Sequence, residues 1–301
     1  MQILFVVFSF VASCWWKLYY CFSHIMVLTE NSRLVKLLVS CIISVAFIMH
    51  LQSGSMIIQD VMQMAANARF RAKSAHQPSP IHILGPKVFT RRLQFPLKWR
   101  HYDVMPEAIL LQNNGSTVIL TISTPYDKPR PEISGGELEG RYKFVEATFK
   151  WGLDRSEHCI DSHTFSLEMQ ALHRCPKKRG PFEYLTISYL FMLMPFANGP
   201  LQQISDNLRS IKRPESTIEL PPFDLQRLMQ PFTGGYYTYQ GTYDNGDISM
   251  PTIWIVNSQI FGVSPQQMSQ FRSLCRHDCS RISTNARQLQ PLGDRCVQYH
   301  P

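Results

Sequence analysis

The chain has 301 residues, of which 45% are hydrophobic, and it carries a formal net charge of +8 with an isoelectric point near 9.1. This composition permits a globular core over most of the length, which suits one large domain or two small ones. The basic residues are dispersed, with short clusters at positions 69–73 and 177–179, so they indicate a solvated basic surface and no nucleic acid partner.

The first 55 residues differ in composition from the rest of the chain. Residues 1–27 and 34–51 are two apolar runs, the first interrupted by Lys17. A membrane-spanning helix needs about 18 to 20 apolar residues. One interpretation of residues 1–55 is therefore a membrane anchor, such as a hairpin of two helices, that leaves the following domain outside the cytoplasm.

A cleaved signal peptide beginning at Met26 explains the same segment. Arg33 and Lys36 form its basic region, and residues 37–49 form its apolar region. The small residues that cleavage requires follow at Ser53, Gly54 and Ser55. The sequence leaves anchoring and cleavage open, and both predict a secreted or membrane-anchored protein whose membrane contact is made by the N-terminal apolar segments.

Residues 56–75 have the spacing of an amphipathic helix, and we interpret residues 56–78 as an amphipathic linker. The apolar positions that share one helical face are Ile57, Val61, Met64 and Ala65. Basic residues follow in the last turn, where the helix dipole favours them. Proline residues then break the pattern, so we place a separate domain at residues 79–301.

Short strand-like runs dominate from position 81 onward. Apolar patterning predicts strands at residues 118–122, 184–194, 236–239 and 253–256. Helical periodicity covers residues 201–211 and 265–274. The pattern predicts a mostly β domain of the α+β type with a few peripheral helices.

Residues 144–173 carry the most specific pattern in the chain. The residues that form it are, in order, Trp151-Gly152, Ser156-Glu157-His158, Glu168 and His173. This segment resembles the metal-binding core of the alpha-class carbonic anhydrases. In that family His-x-His precedes Trp-Gly, Ser-Glu-His follows, and Glu-x-His-x-x-His completes the core.

Further segments match the same family in the same order, from about position 79 to position 297. They are LQNNG at 111–115, ISGGEL at 133–138, YYTYQG at 236–241, WIV at 254–256, SPQQ at 264–267, NAR at 285–287 and QPL at 290–292. The match has the extent of a whole domain. It implies the family's fold, a large and mainly antiparallel central sheet with peripheral helices.

The departures from the family lie at its reaction centre. Where the family has its three zinc-binding histidines, this chain has Thr148, Lys150 and Gln170. Ser116 stands at the proton-shuttle histidine, and Asp244 stands about where a threonine orients the zinc-bound hydroxide. The supporting residues that the resemblance implies are retained are Glu157, Glu168, His158 and His173.

These departures predict that no zinc is bound and that carbon dioxide hydration is lost. In the family, zinc lowers the pKa of bound water from about 15.7 to about 7. That difference corresponds to about 12 kcal/mol, which no other group in this sequence supplies. A hydroxyl and an amide are weak zinc ligands, and the ammonium of Lys150 repels a dication. We therefore expect no cofactor.

A buried lysine at a former ligand position requires compensation. One hypothesis is a cluster in which Asp244 and Glu157 neutralise Lys150, while Gln170 hydrogen-bonds Glu168. The alternative is that Lys150 extends along the cleft to water.

Cysteines and histidines offer further candidate sites. The chain has eight cysteines, and the five in the domain are Cys159, Cys175, Cys275, Cys279 and Cys296. We expect a local disulfide or free thiols at Cys275 and Cys279 rather than a metal site. A zinc site rebuilt from His158, His163 and His173 is the alternative to structural roles for these histidines. The glycosylation sequence that begins at Asn114 falls in the family's inner cleft, so we expect poor access to it.

The sequence as a whole favours a pseudoenzyme that resembles the carbonic anhydrase-related proteins and binds an unidentified protein partner. The main alternative is residual carbonate dehydratase or esterase activity at a non-standard zinc site. A third possibility is a secreted or membrane-tethered structural protein whose N-terminal helices do the main work.

Overall fold

The computed structural model describes residues 77–175 and 182–301. The predicted anchor or signal peptide, nearly all of the predicted linker and the basic cluster at 177–179 lie outside the described residues. No helix in the described part of the chain is long and apolar enough to cross a membrane.

Fourteen strands account for most of the regular structure in this part of the chain. They are β1 (His82–Ile83), β2 (Val88–Thr90), β3 (Leu97–Arg100), β4 (Ala108–Asn113), β5 (Val118–Ser123), β6 (Glu132–Gly135), β7 (Tyr142–Trp151), β8 (Cys159–Ile160), β9 (Leu167–Arg174), β10 (Tyr184–Leu193), β11 (Ser216–Leu220), β12 (Tyr236–Asp244), β13 (Ser249–Val263) and β14 (Val297–His300).

Twelve of these strands form one sheet. The order across it is β11, β4, β5, β7, β9, β10, β13, β12, β14 and β2, while β3 and β6 pair beside β7. The β10–β13 and β14–β2 pairs are parallel, and the other pairs in this sheet are antiparallel. Strands β1 and β8 form a separate parallel pair. The predicted mostly β fold with a large, mainly antiparallel sheet is therefore confirmed.

The central strands are covered by apolar clusters on both faces. On β7 and β9, Phe149, Trp151 and Met169 belong to the larger cluster, and Leu172 belongs to the smaller one. Side chains alternate between the two faces of a strand, so Gln170, two residues before Leu172, lies on the smaller-cluster side. The polar centre described below is therefore on that side of the sheet.

Two short α-helices and several 3-10 turns lie around the sheet. Helix α1 (Gly199–Ser205) begins after Asn198, whose side chain accepts a hydrogen bond from the Leu201 N–H. A 3-10 turn at Leu208–Ile211 follows, so the helix predicted over 201–211 is two elements. Asp206 and Asn207 separate them, consistent with the low helix propensity of both residues.

The second helix matches its sequence prediction closely. Helix α2 (Pro265–Arg272) begins with a capping box formed by Ser264 and Gln267, and proline occupies its first turn. The remaining 3-10 turns of the described chain are Gly85–Lys87 and Leu225–Arg227.

Candidate functional site

Three residues that the sequence resemblance assigns to zinc-ligand positions, Thr148, Lys150 and Gln170, converge on one face of the sheet. Thr148 and Lys150 are alternate residues of β7, and Thr148 pairs with Gln170 of β9. Lys150 pairs in the same way with Glu168. Cross-strand partners project to the same face, so these four side chains form one buried polar centre, in which none is more than 3% exposed.

A tyrosine fills part of this centre. The hydroxyl of Tyr243, on β12, donates to Glu146 Oε1 at 2.8 Å and lies 3.3 Å from Thr148 Oγ1. Asn245 donates to the same Glu146 oxygen at 2.8 Å. Burial raises the pKa of Tyr243 well above its usual value, so this hydroxyl stays protonated.

Tyr243 and Glu146 were not identified from the sequence. Glu146 lies two residues before Thr148 on the same strand, and Tyr243 directly precedes Asp244. Strand periodicity places Glu146 on the same face as Thr148, so the sequence pattern alone could have predicted Glu146 as part of this centre. Tyr243 lies on β12, which does not pair with β7. Periodicity within one strand cannot predict that its hydroxyl reaches Thr148 and Glu146.

Glu157 is held by an arginine from near the C-terminus. Arg287 donates to Glu157 Oε1 through Nε at 2.9 Å and to Oε2 through Nη2 at 2.7 Å. Gln170 Nε2 adds a bond to Oε2 at 3.0 Å. Burial alone would raise the pKa of Glu157, but the charge and hydrogen bonds of Arg287 lower it to about 2.

The predicted Lys150–Asp244–Glu157 cluster does not form as a set of direct ion pairs. Within the described residues, Lys150 has no ion pair or hydrogen bond, although the charges of Glu157 and Asp244 act on it. Asp244 instead accepts from the Gly246 N–H in a turn. The planar fork of Arg287 matches both oxygens of Glu157, and this geometry favours it over an ammonium.

The alternative, in which Lys150 extends along the cleft to water, stays a prediction. The residue is only 3% exposed, and within the described residues its ammonium has no hydrogen-bond partner. Burial lowers the pKa of Lys150, an effect opposed chiefly by the negative charge of Glu157. Lys150 is thus a buried cation held by long-range attraction rather than by a contact.

Glu168 organises a second network. It accepts the His158 backbone N–H at 2.8 Å, pairs with His158 Nδ1 at 2.7 Å and accepts from Ser188 at 2.9 Å. Gln170 also donates to it at 2.8 Å, which confirms the bond expected from the sequence. Burial would raise the pKa of Glu168, but the charge and hydrogen bonds of His158 lower it.

The histidines near this centre do not come together. His158 lies 2.6 Å from the Tyr239 hydroxyl on the site side of the sheet. His173 is buried among Phe144 and Tyr102, and burial lowers its pKa to about 4. His163 is exposed. The described residues include no group of three or more histidine, cysteine or acidic side chains arranged to hold a metal ion.

Ser116 and the turn that follows Asp244, which the sequence resemblance assigns to the shuttle and to the hydroxide-orienting threonine, lie close together. A Cβ on Gly246, two residues after Asp244, would lie 2.4 Å from the Cβ of Ser116. The neighbouring Asn114 is 4% exposed, and its amide donates to Asn245 O at 2.9 Å and to Asp247 Oδ2 at 2.8 Å. The expected poor access to this glycosylation sequence is confirmed.

The described residues contain five cysteines, and no disulfide joins Cys275 to Cys279. Of the two predictions for Cys275 and Cys279, the local disulfide is therefore wrong, and both side chains are thiols. The cysteines at positions 14, 21 and 41 lie outside the described residues.

Comparisons with known proteins agree with the fold. The chain is 31% identical to mouse mitochondrial carbonic anhydrase 5B over 200 residues, which span 62% of each protein. It is 29% identical to mouse carbonic anhydrase 7 over 235 residues, covering 73% of this chain and 87% of that protein. It is 28% identical to a putative carbonic anhydrase 5 of Caenorhabditis elegans over 234 residues, covering 74% of each.

The chain thus spans less than two thirds of carbonic anhydrase 5B but most of the length of the other two relatives. A family model described as eukaryotic-type carbonic anhydrase matches residues 65–301, which is most of the chain. The chain belongs to the eukaryotic-type carbonic anhydrase family.

Proposed function

We propose that this protein is a non-catalytic member of the carbonic anhydrase family that binds a protein partner. The observation that carries the proposal is the make-up of the buried centre. Thr148, Lys150 and Gln170 stand at the positions that match the zinc ligands, and the Tyr243 hydroxyl contacts both Thr148 and Glu146.

The side chains of this centre do not fit a zinc ion. Zinc prefers nitrogen and sulfur ligands, together with carboxylates. Gln170 offers one buried amide oxygen without a hydrogen-bond partner, and Thr148 offers a neutral hydroxyl. Lys150 places a positive charge at the third position, and the guanidinium of Arg287 acts on the same centre. Because Glu157 already pairs with Arg287, the cation at this centre without an ion pair in the described part of the chain is Lys150, and its charge repels a dication.

The remaining acidic groups are poor substitutes for a zinc-bound hydroxide. A general base works best when its pKa is near the working pH. The pKa of Glu157 is about 2, and that of Glu168 is also lowered. Both carboxylates are fully buried and hydrogen-bonded by several donors. Glu157 and Glu168 are therefore suited to stabilising the fold and poorly suited to accepting a proton near neutral pH.

In this proposal the domain is a stable β scaffold whose surface recognises a partner. The apolar N-terminal sequence further leads us to propose that the domain is secreted or membrane-anchored and lies outside the cytoplasm. Residual carbonate dehydratase or esterase activity at a non-standard zinc site is the competing hypothesis.

Stopped-flow carbon dioxide hydration by the full chain, with and without added zinc, tests the proposal. Ester hydrolysis is measured on the same samples. A matched variant that combines Thr148→His, Lys150→His, Gln170→His and Tyr243→Leu supplies the comparison. We expect no zinc-dependent turnover by the native chain and zinc binding by the variant. Zinc-dependent hydration or ester hydrolysis by the native chain would establish the competing hypothesis instead.

A further inference from the structure

A row of cations crosses the sheet outside the buried centre. Arg100 of β3 pairs with Glu132 of β6, which pairs with Lys143 of β7, which pairs with Arg174 of β9. Directly paired residues project to the same face, so these four side chains stand in line across four strands. With strands about 4.8 Å apart, the line is roughly 14 Å long. We call this line, with Lys98 and Arg141 beside it, the basic row.

The flanking residues add to the positive charge of the row. Lys98 precedes Arg100 by two residues on β3, and therefore shares its face. Arg141 brings its guanidinium within 3.6 Å of Glu132. All five cations are exposed, whereas Glu132 is 6% exposed. They come from three separate segments of the sequence, and the sheet brings these segments together.

Two of the three arginines of the row, Arg100 and Arg141, use little of their hydrogen-bonding capacity, whereas Arg174 donates to Glu183. Arg100 and Arg141 approach the same oxygen of Glu132, at 3.9 and 3.6 Å, which is too long for hydrogen bonds. This oxygen accepts no hydrogen bond in the described chain. Neither guanidinium donates a side-chain hydrogen bond to another described residue. The guanidinium groups of Arg100 and Arg141 are thus available to bind an anion of a second molecule.

The charge balance of the row is positive. Its five cations stand against three carboxylates, which leaves +2: Glu132, Glu183 on Arg174, and Glu139, which lies two residues before Arg141 in the sequence. Strands β3, β6 and β7 present no large exposed apolar side chain that could insert into a lipid surface. The anions seen on the row are carboxylates, including Glu183, which binds Arg174 at 2.5 Å.

We infer that the basic row is the docking surface for an acidic segment of a partner protein. This inference rests on the proposed protein-binding function and names the chemistry of the partner. Carboxylates of the segment occupy the open forks of Arg100 and Arg141, because guanidinium and carboxylate match in bidentate geometry. Lys143 and Lys98 contribute attraction that speeds the encounter and depends on salt.

Fluorescence anisotropy of a labelled poly-glutamate peptide with the full chain tests the inference. The test variant combines Arg100→Gln, Arg141→Gln and Lys143→Gln. The control variant combines Arg209→Gln, Lys212→Gln and Arg213→Gln, which removes the same charge from exposed positions elsewhere. Unlabelled heparin and phosphatidylserine vesicles compete in separate titrations.

We expect the test variant to bind the peptide about tenfold more weakly and with a shallower salt dependence, because three exposed pairs are lost. The control variant should bind like the native chain. Glu132→Gln should tighten binding, since it removes the one carboxylate inside the row.

Three results would overturn the inference: no peptide binding, equal weakening in both triple variants, or stronger row-dependent binding of heparin or vesicles than of the peptide. These results leave the proposed absence of catalysis intact. Conversely, zinc-dependent turnover would refute the proposed function without altering peptide binding, so the two failures are distinguishable.

Discussion

Replacing Arg287 by alanine should destabilise the protein by about 3 kcal/mol at neutral pH. The guanidinium makes two hydrogen bonds to Glu157, a carboxylate with no exposed surface. Removing it leaves a buried charge held only by Gln170 and by the distant Lys150. Breaking a buried pair in this way generally costs about 3–5 kcal/mol.

The pKa of Glu157 gives the same magnitude independently. It falls from an ordinary 4.5 to about 2 in the folded protein, where Arg287 overcomes the effect of burial. That difference corresponds to about 3 kcal/mol of stability. Because the folded pKa is the lower one, this stability is present above pH 4.5 and is lost as the pH falls towards 2. Roughly 1 kcal/mol of it remains at pH 3.

Urea unfolding followed by tryptophan fluorescence measures the effect at pH 7 and at pH 3. The difference between native protein and Arg287→Ala should shrink at the lower pH. Arg295→Ala is the matched control, since that buried guanidinium donates only to backbone carbonyls. The loss of unfolding free energy in Arg295→Ala should therefore be the same at pH 7 and at pH 3. An equal loss at both pH values in Arg287→Ala would refute the assigned ion pair.

Three further predictions concern single groups. Tyr243→Phe should cost about 1 kcal/mol in urea unfolding, because Glu146 and Thr148 lose a hydrogen-bond partner; no change would contradict the buried network. The pKa of His173 is lowered by burial to about 4, so stability should fall between pH 6.5 and 4. His173→Asn should flatten that decline, and an unchanged slope would argue against a buried neutral imidazole. Asn114 should remain unmodified when the protein is secreted from a glycosylating host, as read by intact mass, because its amide is buried and bonded.

The fold was predictable because local patterns agree with it. The run at 184–194 is β10, buried along most of its length, and the alternating residues of 236–239 fall within β12. Apolar periodicity depends only on neighbouring residues, so it needs no knowledge of distant contacts. Family motifs supplied the sheet type, which short strands alone do not specify.

The centre was less predictable because its contacts join distant segments. Arg287 reaches Glu157 across 130 positions of sequence. The sequence hypothesis assigned that carboxylate to Lys150, because the family's arrangement brings Glu157 and the residue matching Asp244 together beside the metal position. Charge patterning identified which groups required compensation, but only the packed sheet shows which cation reaches the carboxylate. The basic row was missed for the same reason, because its members lie on four different strands.

Zinc content of the purified full chain tests most directly the proposal that this protein binds no zinc. Elemental mass spectrometry is applied after expression in zinc-supplemented medium, without chelators. We predict no zinc bound in stoichiometric amount, because the sequence resemblance assigns Thr148, Lys150 and Gln170 to the ligand positions and the Tyr243 hydroxyl lies 3.3 Å from Thr148 Oγ1. One zinc ion per chain, lost when Thr148 or Gln170 is replaced by alanine, would contradict it.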